Sequence, residues 1–312
     1  MTLRVGVVGT GVMGADHVET LHRGVSGAEV TRVADADLAR AGAVAELVPS
    51  AEVAADGPAL IADPAVDAVI IASHDSTHAA LVHAALAAGK PVLCEKPLAP
   101  TVAECLELAR ADTRGLVSVG FMRRFDPVYV ELKAALGTVG APLLIHCTSR
   151  GVSAGPTTTS EYSVTGAAIH ELDIVPWLLD APIVEVSWAA PRQSSLVTGM
   201  QDPQLTLLRT ADGVLTTLEV FLNAQYGYVV GCEVVCESGA LVIGQPIEYA
   251  ADWRPRFADA YRLELQAWVD SLAAGAPTPL AGARDGLVAT AVAEAVIASM
   301  HDGGRVVAVE VP

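Results

Sequence analysis

Two short motifs about eighty residues apart hold the residue types with the widest chemical scope in this 312-residue chain. The first is Gly9-Thr10-Gly11-Val12-Met13-Gly14, directly after the apolar run 5–8; the second is Glu95-Lys96-Pro97, directly after Pro91-Val92-Leu93-Cys94. A glycine triplet between a strand and a helix is the pattern that cradles a dinucleotide pyrophosphate. Gly9 permits the tight turn, Gly11 lets the backbone approach the phosphates, and Gly14 allows close helix–strand packing. The helix start, at Val12 and Met13, offers amide donors and the positive end of the dipole. Asp35 lies twenty-one residues beyond Gly14, at the end of the next apolar run. A carboxylate there accepts hydrogen bonds from both ribose hydroxyls and repels a 2′-phosphate, which predicts NAD over NADP; Arg40 nearby blunts that preference. Lys96 is one of only three lysines, against sixteen arginines, and sits at a strand end, where ligands of open sheets bind.

Three further candidates accompany these motifs. The segment Ala72-Ser73-His74-Asp75-Ser76-Thr77-His78 follows a strand and opens a helix. Ser73, His74 and His78 are expected to line the nicotinamide half of the same groove. His74 and His78 have metal-ligand spacing, but no third ligand accompanies them, so no metal is expected. His170, in Gly166-Ala167-Ala168-Ile169-His170-Glu171-Leu172-Asp173, has the residue type to exchange a proton near neutrality, with an ordinary pKa of about 6.5. Glu95, beside Lys96, is assigned to the cofactor region with it.

These side chains need rigid elements to hold them. The first 120 residues alternate strand and helix signals: strands at 3–8, 29–34, 68–72, 92–94 and 117–120, helices at 15–23, 39–47, 77–88 and 102–111. Short apolar runs separated by helices predict parallel β-α-β units and a doubly wound, Rossmann-type parallel sheet. After Phe121 the pattern changes. A helix is expected at 127–136, then strands at 142–149, 183–189, 204–210, 214–221, 229–237 and 240–243, with hairpin turns at Asp212-Gly213 and Ser238-Gly239. Helices are expected at 167–179, 258–274 and 284–299, and a mobile Ser/Thr/Gly-rich loop at 151–160. The expected fold class is α/β: a dinucleotide-binding domain at 1–120, and at 121–312 an α+β domain with a large, mostly antiparallel sheet for substrate binding and oligomerisation.

Composition excludes several function classes. The formal net charge is −17, which disfavours nucleic acid as a partner. No apolar stretch reaches the roughly 20 residues that span a bilayer, and the N-terminal apolar run is too short for a signal peptide. The five cysteines form no CxxC pair, which predicts reduced, mostly buried thiols and a cytoplasmic protein. Trp177, Trp188, Trp253 and Trp268 are scattered, as packing residues are.

Nearly end to end the chain resembles the Gfo/Idh/MocA family of NAD(P)-dependent oxidoreductases, most closely its inositol dehydrogenase branch. The resemblance is carried by the Gly9 fingerprint, Glu95-Lys96-Pro97-Leu98, Gly120-Phe121-Met122-Arg123-Arg124-Phe125-Asp126, Ile169-His170-Glu171-Leu172-Asp173, Gln225-Tyr226-Gly227-Tyr228 and Phe257-Ala258-Asp259-Ala260-Tyr261. It implies an inositol 2-dehydrogenase-like transfer of hydride between a cyclitol or sugar carbinol and NAD. Lys96 would contact the substrate hydroxyl and His170 would act as general base. Met122, Arg123 and Tyr226 would line the polyol pocket, and the chain would form a homo-oligomer, a tetramer or a dimer. One departure stands out: Gly166 occupies the position, four residues before the histidine, where the family usually has aspartate. That glycine leaves open a modified cyclitol or sugar as substrate, or a weakened NAD-binding scaffold, and Glu161 or Tyr162 could take over from the absent carboxylate.

Overall fold

The computed structural model of the protein describes residues 2–155, 158–243 and 250–312. It forms two compact units, Met1–Met122 with Ala260–Leu287, and Arg123–Asp259 with Val288–Pro312.

In the first unit the elements run β1 (Leu3–Val8), α1 (Val12–Gly24), β2 (Ala28–Ala34), α2 (Leu38–Ala45), β3 (Glu52–Val53), α3 (Gly57–Ala62), β4 (Ala68–Ile71), α4 (His78–Ala87), β5 (Val92–Cys94), α5 (Val102–Ala111) and β6 (Val117–Val119). The sheet order is β6-β5-β4-β1-β2-β3, all parallel, with the strand Ala281–Gly282 antiparallel on the outside of β6. All of β4 and β5 is buried. A parallel strand packed on both faces must be a continuous apolar run, which is why these strands were predictable. Helix α1 buries Gly14, His17, Val18 and Leu21, the stripe of a helix lying on a sheet. Local caps set the other helix starts: Asp37 for α2, Asp56 for α3, and Thr101 with Glu104 as a capping box for α5. β3 and α3 were not expected, because two and six residues are too few to show a period.

The second unit contains α6 (Pro127–Ala135), β7 (Pro142–Arg150), α7 (Ser160–Tyr162), a π-helical stretch Ser163–Ala168, α8 (Ile169–Leu179), β8 (Ile183–Ala189), β9 (Gln204–Thr210), β10 (Leu215–Phe221), β11 (Val229–Cys236) and β12 (Gly239–Ile243). The sheet order is β12-β11-β7-β10-β9-β8, closed by the strand Val307–Ala308. Among the described residues only β7 and β10 pair in parallel, so the sheet is mostly antiparallel as expected. Alternate residues of β10, Thr216, Leu218 and Val220, are buried, the pattern of a sheet covered on one face. The helix expected at 167–179 starts earlier, because Thr159 caps Ser160–Tyr162 and the π stretch carries the chain on to Ile169. Residues 156 and 157 of the loop expected to be mobile lie outside the described residues.

All five cysteines are buried and unbridged. No helix among the described residues is long and apolar enough to cross a membrane.

The second unit is organised around a buried charge. Arg123 is 1% exposed and pairs with Glu171, which is fully buried at the start of α8. Its guanidinium lies 5.5 Å from the centre of the Phe257 ring. Burial works against the arginine charge, but the facing Glu171 carboxylate outweighs it, so Arg123 is held above its usual range. Beside it, burial pushes the Tyr228 phenol up to about 12. Arg124 makes a parallel tie to Asp173, with Nε 3.0 Å from the carboxylate. Both ties anchor α8 to the segment that precedes α6. Removing one partner of a buried pair leaves an uncompensated charge, which costs about 3–5 kcal/mol, whereas an apolar pair of similar volume is close to neutral. Arg123→Met should therefore lower unfolding stability by about that amount, and Arg123→Met with Glu171→Met should recover most of it, as read by urea denaturation.

Candidate functional site

Along the carboxyl edge of the parallel sheet the chain runs one way from β1 to β3 and the other way from β4 to β6. The reversal falls between β1 and β4, the place where open α/β sheets bind ligands. There the Gly9 turn meets the Ala72-Ser73 turn. Gly9 has φ +89°, and a Cβ on it would stand 2.4 Å from the Ser73 nitrogen. At Gly14 a Cβ would stand 1.7 Å from the Gly9 oxygen, so that position also accepts glycine alone. Gly11 differs: a Cβ there meets nothing of the protein within 4 Å. Such a Cβ would project into the cradle instead, which is the fit expected where a pyrophosphate must approach the backbone. Gly11 also caps α1 with no side-chain hydrogen bond, and the first turn has no acidic residue. The first turn thus brings no carboxylate of its own to the amide end of the helix.

A cavity of about 730 Å³ opens from this turn. It is lined by Gly9, Gly11, Asp35, Arg40, Ser73 and His74 among others. Val12, next in the chain to Gly11, is 60% exposed. Asp35 is the most engaged acceptor here. Its carboxylate accepts from the Thr10 amide at 2.7 Å and the Thr10 hydroxyl at 3.0 Å, from the Asp37 amide at 2.8 Å, and from Arg40 Nη2 at 2.7 Å. Burial opposes its charge, but the Arg40, Asp37 and Thr10 donors hold it well below the usual carboxylate range. An ionised acceptor at this place suits a ribose diol and opposes a phosphate. Thr10, as a partner of Asp35, and the 55–57 segment, which also lines the cavity, were not expected from the sequence. The signal for the latter was the helix start Asp56-Gly57-Pro58.

The Glu95-Lys96-Pro97 turn ends β5, two strands from β1 on the same edge. Two histidines secure it. Glu95 is 7% exposed and receives His17 Nε2 at 2.7 Å and the Lys96 amide at 3.3 Å. Burial alone would raise its pKa; the His17 hydrogen bond, followed by the His17 and Lys96 charges, brings it below the ordinary value. The His17 ring is itself braced edge-on by Tyr261, with centroids 5.9 Å apart. From the other side, His78 is buried with Nδ1 2.8 Å from the Pro97 carbonyl oxygen and Nε2 3.1 Å from that of Ser73. His78 thereby ties the β4 turn to the β5 turn, and the Lys96–Pro97 peptide between these anchors is cis. His17 escaped the sequence reading. The available signal was an imidazole at a core position of α1, three residues after Gly14, where only a buried partner makes it tolerable. His74 is mostly exposed, and no cluster of His, Cys, Asp or Glu among the described residues could hold a metal ion.

In the second unit, His170 is partly exposed in the first turn of α8, directly before the buried Glu171. Gly166 lies in the π stretch one turn earlier. Arg123 is turned to Glu171, and Met122, in the first unit, is 2% exposed. Tyr226 is 47% exposed and hydrogen-bonds Arg150, which also holds Glu219 at 2.6 and 2.8 Å.

Comparison with known proteins agrees with this geometry. Residues 3–121 match the family model described as oxidoreductase family, NAD-binding Rossmann fold, and residues 131–242 match the GFO/IDH/MocA C-terminal domain. Inositol 2-dehydrogenase 2 of Paenarthrobacter aurescens is 55% identical over 97% of this chain and 98% of its own. Inositol 2-dehydrogenase 1 of Saccharopolyspora erythraea is 51% identical over 97% and 95%. Among solved structures, myo-inositol dehydrogenase from Lactobacillus casei, in complex with NAD(H) and myo-inositol, superposes with a TM-score of 0.94 at 34% identity, covering 100% of this chain and 98% of that one. The chain belongs to the Gfo/Idh/MocA family of NAD-binding oxidoreductases.

Proposed function

We propose that this protein is an NAD-dependent cyclitol dehydrogenase that oxidises a ring carbinol of an inositol to the ketone, with the 2-hydroxyl of myo-inositol as the reacting group. The observation that carries the reading is the groove at the β1–β4 reversal, with an ionised Asp35 on one side and the braced Glu95-Lys96-Pro97 turn two strands away. The identity of 55% to an inositol 2-dehydrogenase over nearly the whole chain supports the same substrate class.

Residues 1–120 form the cofactor domain in this reading, and residues 121–312 the substrate and oligomerisation domain. Gly9, Gly11, Val12, Met13 and Gly14 hold the pyrophosphate. Asp35 holds the adenosine ribose. Ser73, His74 and His78 border the nicotinamide, with Glu95 fixing the neighbouring turn. NAD supplies the hydride acceptor when bound. The chain's own part is to orient the ring carbinol and take its proton. Lys96 donates a hydrogen bond to the carbinol oxygen and stabilises the negative charge that develops there. His170 takes the hydroxyl proton as general base, a role that suits the imidazole side chain. Met122, Arg123, Gly166 and Tyr226 are assigned to the polyol pocket: Tyr226 through its partly exposed phenol, and Arg123 by holding the start of α8 through Glu171. We place the protein in the cytoplasm, which its five unbridged, buried thiols favour, and as a homo-oligomer, tetramer or dimer.

With NAD, the purified protein should form NADH on addition of myo-inositol. Lys96→Ala should reduce kcat by about 100-fold or more while NADH binding, followed by fluorescence, stays within about threefold. Equal turnover in that variant removes Lys96 from the mechanism. Asp35→Asn forfeits charge-assisted hydrogen bonds to the ribose, about 1.5–3 kcal/mol, so NAD affinity should fall by roughly 10–100-fold while NADP affinity does not. A titration in which both cofactors weaken equally contradicts the diol assignment.

A further inference from the structure

The helical run that leads to His170 holds a pair of residues with a steric dependence on each other. The Tyr162 ring lies over Gly166, and a Cβ at position 166 would stand 2.8 Å from Cε1 and Cζ of that ring. Gly166 has no positive φ, so its backbone conformation does not call for glycine; the tyrosine ring does. Tyr162 as a whole residue is 51% exposed. Its backbone is pinned: Thr159 caps it at 3.1 Å, the Ser160 hydroxyl accepts from the Gln201 amide at 2.8 Å, and the Ser160 carbonyl accepts from Gln204 Nε2 at 3.0 Å. The neighbouring carboxylate is committed elsewhere. Glu161 faces His301 at 2.9 Å, and that hydrogen bond holds it below its usual range.

A four-residue step returns within roughly 40° of the same face in either an α- or a π-helix. Tyr162, Gly166 and His170 therefore line one stripe, with the tyrosine two steps before the imidazole. We infer that Tyr162 is a substrate-contacting, specificity-determining residue, and that Gly166 is the gap that admits its ring. The phenol offers an uncharged hydroxyl, donor and acceptor, and a flat apolar face. That combination selects an uncharged cyclitol ring that presents both hydroxyls and C–H bonds. The inference rests on the assignment of His170 to the substrate.

Steady-state kinetics with myo-inositol on four proteins tests it. Tyr162→Phe should raise KM by about fivefold with kcat changed less than about twofold. Tyr162→Ala should lower kcat/KM by about 100-fold. Gly166→Ala should lower it comparably by displacing the ring, and the double variant Tyr162→Ala with Gly166→Ala should be no worse than Tyr162→Ala alone. NADH binding and thermal midpoint, measured on every protein, separate loss of substrate contact from loss of cofactor or fold. Unchanged KM in both Tyr162 variants beside an active parent, or strictly additive losses in the double variant, overturns this inference alone. A parent inactive on every inositol isomer overturns the dehydrogenase reading, and this inference with it.

Discussion

The ligand edge of the first sheet depends on one close approach, that of helix α1 to the turn before it. With the Gly9 oxygen 1.7 Å from where a Gly14 Cβ would stand, any side chain there would push α1 off the sheet. The helix start would then no longer point at the β1–β4 reversal, and its amides and dipole would no longer be presented to a ligand there. The same constraint sets the second half of the groove, because the Gly9 turn packs on the Ala72-Ser73 turn. Asp35 hydrogen-bonds both to Thr10 inside the glycine turn and to Asp37 beyond β2, so the proposed acceptor for the ribose and the proposed cradle for the pyrophosphate form one hydrogen-bonded unit.

From that edge the order spreads through buried polar contacts rather than exposed ion pairs. His17 projects from the same helix that the glycines seat, and its hydrogen bond to Glu95 carries the position of α1 to the Lys96 turn. His78 does the same from α4 through the Pro97 carbonyl. Lys96 thus inherits its place from two helices, neither of which contains a residue assigned to the reacting carbinol. In the second unit Arg123 and Glu171 play the equivalent part for α8 and for His170 in its first turn. Removed from water, such pairs are stringent about geometry, since a displaced partner leaves a buried charge unmet.

What the sequence made legible follows from the same physics. The parallel strands were readable because burial on both faces demands unbroken apolar runs such as Ala68–Ile71. The glycine turn was readable because Gly9 and Gly14 answer local steric demands at fixed spacing. His17 was not, because its partner Glu95 is 78 residues away. Glu171, 48 residues from Arg123, was hidden for the same reason. The start of the helical run at Ser160 was also missed. Its Ser/Thr/Gly-rich approach resembles a loop, and a π stretch at 163–168 breaks the α period that would have exposed it. Gly166 was recognised as a departure, but only the structure showed the Tyr162 ring that occupies the space beside it.

The central claim is that a cyclitol carbinol gives its hydride directly to a nicotinamide seated at the β1–β4 reversal. Myo-inositol deuterated at C2, incubated with the protein and NAD, tests this most directly. The deuterium should be recovered on the nicotinamide ring of the reduced cofactor, seen by mass spectrometry. Reduced cofactor carrying no label, or label found only in water, would contradict it.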